Sequence, residues 1–236
     1  MTERGMIFNA EMVRAILDGS KTQTRRIMKV QPDSPDFGLL RIVESTARGD
    51  VGKYHWSESN ACGNHIRSKL FTCPFGSIGD RIWVRETFQG PLFDYDQMDA
   101  YSKESSMFEK PEFCVYRADG KPAPEYYDAD DNLQCRWRPS IHMPRWASRI
   151  TLEITNVGVQ RLQSISQNDA AREGLVRLPA SGRYCINQGD QYFGGASHDA
   201  REVFSWLWSS IYGEESWESN PWVWVIEFRR VEGGAA

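Results

Sequence analysis

The segment SRITLEITNVGVQRL, residues 148–162, places apolar side chains at Ile150, Leu152 and Ile154 and then, one step out of phase, at Val157 and Val159. The first three are one face of a half-buried strand, and the change of phase predicts a β-bulge near Asn156. A strand this long and bent suits a small barrel. Upstream, RIWVRETF at 81–88 alternates Ile82, Val84 and Phe88 against Arg85 and Thr87 after a Gly79-Asp80 turn, which reads as a second strand. Downstream, Asn220-Pro221 breaks into WVWVIEFRRV, 222–231, apolar on both faces as a buried closing strand requires.

Short helices are expected between these strands. Asn9 is a good N-cap, Met12, Val13, Ile16 and Leu17 recur at helical spacing, and Gly19 stands where a left-handed cap belongs, so a helix is predicted over 10–18. Ser166 with Asp169 opens a second helix, 166–173, which ends on Glu173 and is closed by Gly174. Asp199 with Glu202 opens a third, 199–212, with Val203, Phe204, Leu207, Trp208 and Ile211 on one face. The polar stretch GSKTQTRR, 19–26, reads as a loop. Residues 31–75 read as a long loop with one strand near Leu39 to Val43, and 176–197 as an insertion rich in Gly, Ser, Asn and Gln.

The chain has 236 residues, 40% of them apolar, and a formal net charge of -4, which excludes a disordered or strongly polyionic protein. Its charge is unevenly spread. Residues 1–30 carry six basic and three acidic groups, 91–135 carry four and eleven, and 136–161 carry five and one. The middle segment is therefore an acidic insertion between basic stretches. No apolar run approaches the roughly 20 residues that span a bilayer. The opening MTERGMIFNAEMVRAILDGS lacks an apolar signal region and turns amphipathic, so a cytoplasmic location is expected. Five cysteines are too few and too scattered for a disulfide framework, so reduced thiols are expected.

Four groups of residues bear on chemistry. Lys21, Thr22, Thr24, Arg25 and Arg26 lie just beyond a helix end. A lysine desolvated in a pocket can act as a base for a nearby threonine hydroxyl, although exposed lysine is the rule and a solvated basic loop is the plainer reading. Glu173 stands at the negative end of a helix dipole, which disfavours a carboxylate and suits an acid–base role; a solvated glutamate at a frayed end is the alternative. In RWRPSIHMPRWASR, 136–149, Arg136, Arg138, Arg145 and Arg149 interleave with Trp137, His142 and Trp146 without an acid. That pattern fits phosphate contact and base stacking, or equally tryptophans in the core with arginines at its rim. His55, Cys62, His65 and Cys73 have spacings unlike a compact zinc module, so no metal is expected. No phosphate-binding glycine loop or HExxH occurs.

Taken together, Gly19-Ser20-Lys21-Thr22-Gln23-Thr24-Arg25-Arg26, the strand after Gly79-Asp80, the helix ending in Glu173 and the closing WVWVIEF resemble the ASCH-domain family. Its signature, G-x-K-x-x-E-x-R, is matched by Gly19, Lys21 and Arg26, with Thr24 at the usual Glu position. The chain is similar in this loop, G-x-K-T-x-T-x-R, to the branch containing small bacterial N4-acetylcytidine amidohydrolases. CPFGSIGDRIWVRETF and RPSIHMPRWASRITLEI resemble the longer phage and prophage members. The resemblance covers about 6–30, 76–90, 146–175 and 199–231.

The resemblance implies an α+β fold: a PUA-like small β-barrel with short flanking helices, one domain over 1–236 interrupted at about 31–75, 91–135 and 176–197. It implies catalytic roles for Lys21, Thr24 and Glu173 in hydrolysing an N-acylated cytosine nucleoside or nucleotide, with no cofactor. Arg26, Trp83 and Glu86 are then expected to bind substrate, Trp83 by stacking and Glu86 from the strand face of Ile82 and Val84. Two alternatives stand beside this: a non-catalytic module binding RNA or single-stranded nucleic acid through Arg136, Arg138, Arg145 and Trp146, and a single-strand ribonuclease.

Overall fold

The fold is seen in a computed structural model that describes residues 1–34, 36–59, 65–127 and 132–231. Its centre is a mixed five-stranded sheet of β1 (Glu3–Ile7), β2 (Gln23–Ile27), β3 (Arg81–Arg85), β4 (Thr151–Arg161) and β5 (Trp222–Arg230), in the order β1-β3-β4-β5-β2. Only β1 and β3 run parallel; the other pairs are antiparallel. The register of β4 against β5 shifts between Ile154 and Asn156, at the position of the phase change in the sequence. The strands anticipated at 82–88 and 222–231 flank β4 in this one sheet.

Several expectations need correction. The sheet is open among the described residues, since β1 and β2 each have a single strand neighbour, so no closed barrel is found there. Strand β3 stops at Arg85, and Phe88–Gln89 forms a separate pair with Val115–Tyr116. The stretch 31–75 is not one long loop: Gly38–Arg41, Tyr54–Ser59 and His65–Arg67 form a three-stranded sheet. Trp56 and Tyr54 anchor it, with ring centroids 5.1 Å from Trp222 and 5.2 Å from Trp224 respectively. The segment 176–197 likewise contains a small antiparallel sheet. No helix among the described residues is long and apolar enough to cross a membrane.

The helices follow their sequence signals. In α1 (Ala10–Leu17) the Asn9 side chain accepts from the Met12 amide at 2.8 Å, and Met12, Val13, Ala15 and Ile16 are buried. In α2 (Gln167–Arg172) the Ser166 side chain accepts from the Asp169 amide, and Glu173 is the cap residue. In α3 (Ala200–Tyr212) Val203, Phe204, Leu207 and Trp208 face the core formed with Ile82, Val84, Leu152, Ile154 and Ile226. Ile211, expected on that buried face, is 41% exposed.

The stretch read as a polar loop contains β2, hydrogen-bonded to β5 from Gln23↔Glu227 to Ile27↔Val223. Before it, the Lys21 amide donates to Ala15 O at 2.8 Å, the Thr22 amide to Arg172 O at 3.0 Å, and the Phe228 amide to Thr22 O at 2.9 Å. Residues 21–22 are thus clamped between α1, the end of α2 and β5. Gly174 makes that approach possible. Its φ is +99°, and a Cβ there would lie 2.8 Å from Ala15 Cβ and 3.1 Å from Lys21 Cβ. Gly19 also has positive φ, +83°, but faces open space.

The two glycines therefore predict different costs. Gly174→Ala combines backbone strain with overlap and should destabilise the protein by about 2 kcal/mol or more, whereas Gly19→Ala should cost about 1 kcal/mol. Urea unfolding of the two variants reads the difference; equal midpoints would show that the contact among Gly174, Ala15 and Lys21 is not tight.

Candidate functional site

Side-chain chemistry concentrates where β2 passes the end of α2. The last carbonyls of a helix lack partners within it. Here β2 and the residues before it supply them: Gln23 Nε2 donates to Asp169 O at 2.6 Å, the Thr22 amide to Arg172 O, and Lys21 Nζ to Glu173 O at 2.6 Å. A cation at this end is also favoured by the helix dipole.

Lys21 Nζ donates as well to Glu173 Oε2 at 3.0 Å, and Arg25 Nη1 donates to Glu173 Oε1 at 2.7 Å. All three side chains are buried, with 0% of Lys21, 1% of Arg25 and 3% of Glu173 exposed. Arg25 has two further neighbours. Its Nη2 lies 3.9 Å from Asp169 Oδ2, and Gln160, with its amide oxygen turned inward, accepts from its Nε at 3.0 Å. Burial holds the Lys21 amine below the ordinary lysine pKa; the Glu173 charge opposes this without reversing it, and the positive charges of Arg26 and Arg25 add to it.

A shallow cleft, with room for about one water molecule, opens beside this cluster. Its open lining is almost wholly apolar, with α3 supplying a wall that includes Phe204, Trp208 and Tyr212; Thr24, Arg25, Arg26 and Glu173 adjoin it but present scarcely any polar surface to it. The Trp208 and Tyr212 rings stand 4.5 Å apart at 35°, with Tyr212 36% exposed and Trp208 buried. Arg26 is steadied at the rim: its Nη2 donates to Ile7 O at 2.6 Å, its Nη1 to Tyr212 Oη at 3.4 Å, and its guanidinium lies 5.2 Å from the centre of the Phe8 ring.

Of the residues singled out in the sequence, Lys21 and Glu173 are in direct contact, and Thr24 and Arg26 line the cleft beside them. Neither the solvated basic loop nor the frayed helix end describes these groups. Trp83 and Glu86 are placed elsewhere. Trp83 is on the β3 face opposite Ile82 and Val84, against Gly5 and 5.4 Å from the Arg85 guanidinium. Glu86 does share the inward side, but it is fully engaged by Arg149 at 3.0 and 3.1 Å and does not line the cleft. Burial raises the Glu86 pKa, and the Arg149 hydrogen bonds offset part of that rise. Arg25, which sequence reasoning gave no role, carries half of the grip on Glu173. Its only sequence signal was its place between Thr24 and Arg26.

Of the arginines of 136–149, Arg145 and Arg149 are paired with acids within the chain, and Arg136 and Arg138 with neutral acceptors. Arg149 binds Asp119 at 2.7 and 3.1 Å in addition to Glu86, and its guanidinium sits 3.9 Å over the Tyr116 ring. Arg145 makes a two-pronged contact with Glu3 at 2.9 Å, which holds that carboxyl below its usual pKa. Arg138 donates to Gly90 O at 3.1 Å and stacks on Phe88, and Arg136 donates to Tyr126 Oη at 3.2 Å. Trp146 is half-buried against Phe88, Met143 and Ala147. The acids are missing from the local sequence because they come from far away in it. As to metal, Cys62 lies outside the described residues; no group of three or more His, Cys, Asp and Glu side chains that could hold an ion occurs among those described.

Removing the shared anion tests the cluster. Glu173→Gln leaves Arg25 buried without its counter-charge and should destabilise the fold by about 3 kcal/mol. A loss below about 1 kcal/mol in denaturant unfolding would mean that the cluster is solvated in solution.

Compared with protein-family models, with curated proteins and with solved structures, the chain matches none.

Proposed function

We propose that this protein is an ASCH-type, PUA-like amidohydrolase that removes the acyl group from an N-acylated cytosine nucleoside or nucleotide. The observation that carries this reading is the buried contact between Lys21 and Glu173, separated by 152 positions in sequence, beside a cleft lined by Thr24. The fold part of the proposal draws on the sheet built around the long bulged β4 and on the 19–26 loop signature.

In this reaction Thr24 Oγ attacks the acyl carbonyl carbon while the neutral Lys21 amine takes the hydroxyl proton. The resulting tetrahedral oxyanion faces the Arg26 guanidinium, a charge-stabilising role that is commonly a large part of catalysis. Lys21, now an ammonium, passes a proton across its 3.0 Å contact to Glu173 Oε2. Glu173 delivers that proton to the exocyclic nitrogen as the carbon–nitrogen bond breaks. Water then attacks the threonyl ester while Lys21 accepts its proton, and Lys21 returns that proton to Thr24 Oγ as the ester bond breaks, freeing the acid and restoring the neutral amine. The planar base rests on the α3 wall, with Tyr212 replacing Trp83 as the stacking residue.

The nucleic-acid-binding alternative has less support, because Arg145 and Arg149 of that segment are paired with acids within the chain. Hydrolysis of N4-acetylcytidine, followed by release of cytidine, is the direct test. Lys21→Arg keeps the charge but removes any neutral amine, so kcat should fall about 10²-fold or more while affinity is largely kept. Tyr212→Ala should raise KM about tenfold through lost stacking. Since the unprotonated amine is the active form, kcat/KM should rise with pH through a midpoint below the ordinary lysine value. Undiminished turnover by Lys21→Arg removes the base role, and a parent protein inactive on every acylated cytosine substrate overturns the proposal.

A further inference from the structure

We propose that Arg25 is a positioning residue that keeps Lys21 in its neutral, proton-accepting form by neutralising Glu173 itself. The inference rests on the reading of Lys21 as the base and explains how a lysine in contact with a carboxylate can serve as one. A lysine paired alone with a buried carboxylate holds its proton tightly, since the opposite charge favours the ammonium. Such a lysine has no lone pair to offer.

Three observations remove that difficulty. Among the described residues the buried cluster has two cations, Lys21 and Arg25, against one carboxylate buried to the same degree, Glu173. Asp169, 31% exposed and 3.9 Å from Arg25, is a poorer partner. Of the two cations only lysine can release a proton, because guanidinium stays charged in proteins. The surplus proton is therefore Lys21's. Next, Lys21 Nζ donates two hydrogen bonds among the described residues, both to Glu173. A neutral amine has two N–H donors and one lone pair, so these acceptors satisfy it completely, whereas an ammonium has a third donor. Last, the Arg25 fork is fixed from several sides, by Glu173, Gln160 and the Phe204 ring at 5.9 Å. It holds Glu173 Oε1 whatever the state of Lys21.

Burial is the largest influence releasing the Lys21 proton; Glu173 at the end of α2 favours the proton, Arg26 and Arg25 on β2 oppose it, and α1 meets Lys21 through Ala15. Replacing Arg25 by a neutral residue leaves Lys21 as the sole counter-charge of Glu173.

The test titrates Lys21 directly, by NMR of its side-chain ¹³Cε in labelled full-length protein, without substrate. In the parent the midpoint should lie below 10.5, the ordinary value. In Arg25→Met it should rise by about one pH unit, and in Arg25→Lys it should stay near the parent's. Gln160→Glu offers Arg25 a competing carboxylate and should raise the midpoint in the same direction, which keeps the test available if Arg25→Met does not fold. The inference is overturned by a parent midpoint at or above 10.5, or by midpoints unmoved in Arg25→Met or Gln160→Glu. A parent protein that titrates as described but hydrolyses no acylated cytosine removes the proposed activity and leaves the role of Arg25 standing. An active parent whose Lys21 midpoint ignores Arg25 removes this inference alone.

Discussion

The Glu173 carboxylate, held by Lys21 on one oxygen and Arg25 on the other, is the contact on which the arrangement of the molecule around its cleft depends. Bringing these charges out of water costs several kcal/mol per ion, and their attraction returns it only with good geometry. The geometry is supplied from three directions. Helix α2 ends at the carboxylate, the chain brings in both cations, Lys21 just before β2 and Arg25 within it, and Gly174 lets the chain leave α2 against Ala15 and Lys21. An apolar trio of similar volume would be at least as stable by the same reasoning.

Helix α3 serves both the core and the cleft along one side. Val203, Phe204, Leu207 and Trp208 close the core, and the outer turn carries Ile211 and Tyr212 into the cleft. A rigid helix anchored through its first turns can hold an aromatic ring at the mouth of the cleft, with little ordering left to complete when a planar ligand arrives. The floor is equally fixed, since Thr24 and Arg25 lie on a strand paired through its length with β5. The cleft is built from regular elements on both sides, which favours a set geometry over an adaptable one.

Features encoded over a few residues were legible in the sequence. The caps at Asn9 and Ser166, the bulge near Asn156 and the apolar stripe of α3 each depend on neighbours within one or two turns. Strand β2 was not legible because QTRRI has the composition of a solvated loop; it becomes a strand only when Glu173 and Gln160 absorb its arginine. Strand β1 gave no alternation to read, and Gly5 at its centre is there to make room for Trp83. The strand expected near Leu39 to Val43 is present at Gly38–Arg41, but its partners at Tyr54–Ser59 and His65–Arg67 were hidden, since the aromatic anchors Tyr54 and Trp56 pack on Trp224 and Trp222, far along the chain. The site was legible only through the resemblance in the 19–26 loop, which pointed to Lys21, Thr24 and Glu173 but was silent on Arg25. Trp83 and Glu86 were misplaced because a strand's alternation tells which residues share a face, not what lies over that face.

The two buried glutamates show why charge counting separates a structural cluster from a reactive one. Glu86 is satisfied by Arg149, which also binds Asp119, so one permanent cation faces two anions. The cluster joins the acidic segment 91–135 to the sheet through Asp119, with Tyr116 Oη donating to Ala147 O at 2.8 Å beside it. Glu173 has the opposite balance, two cations on one carboxylate, and one of the two is a lysine that can release its proton. Burial and ion pairing are common to both. What differs is the sign of the excess charge: the acidic segment is fastened by a guanidinium that cannot titrate, while the cluster at β2 includes a lysine that can.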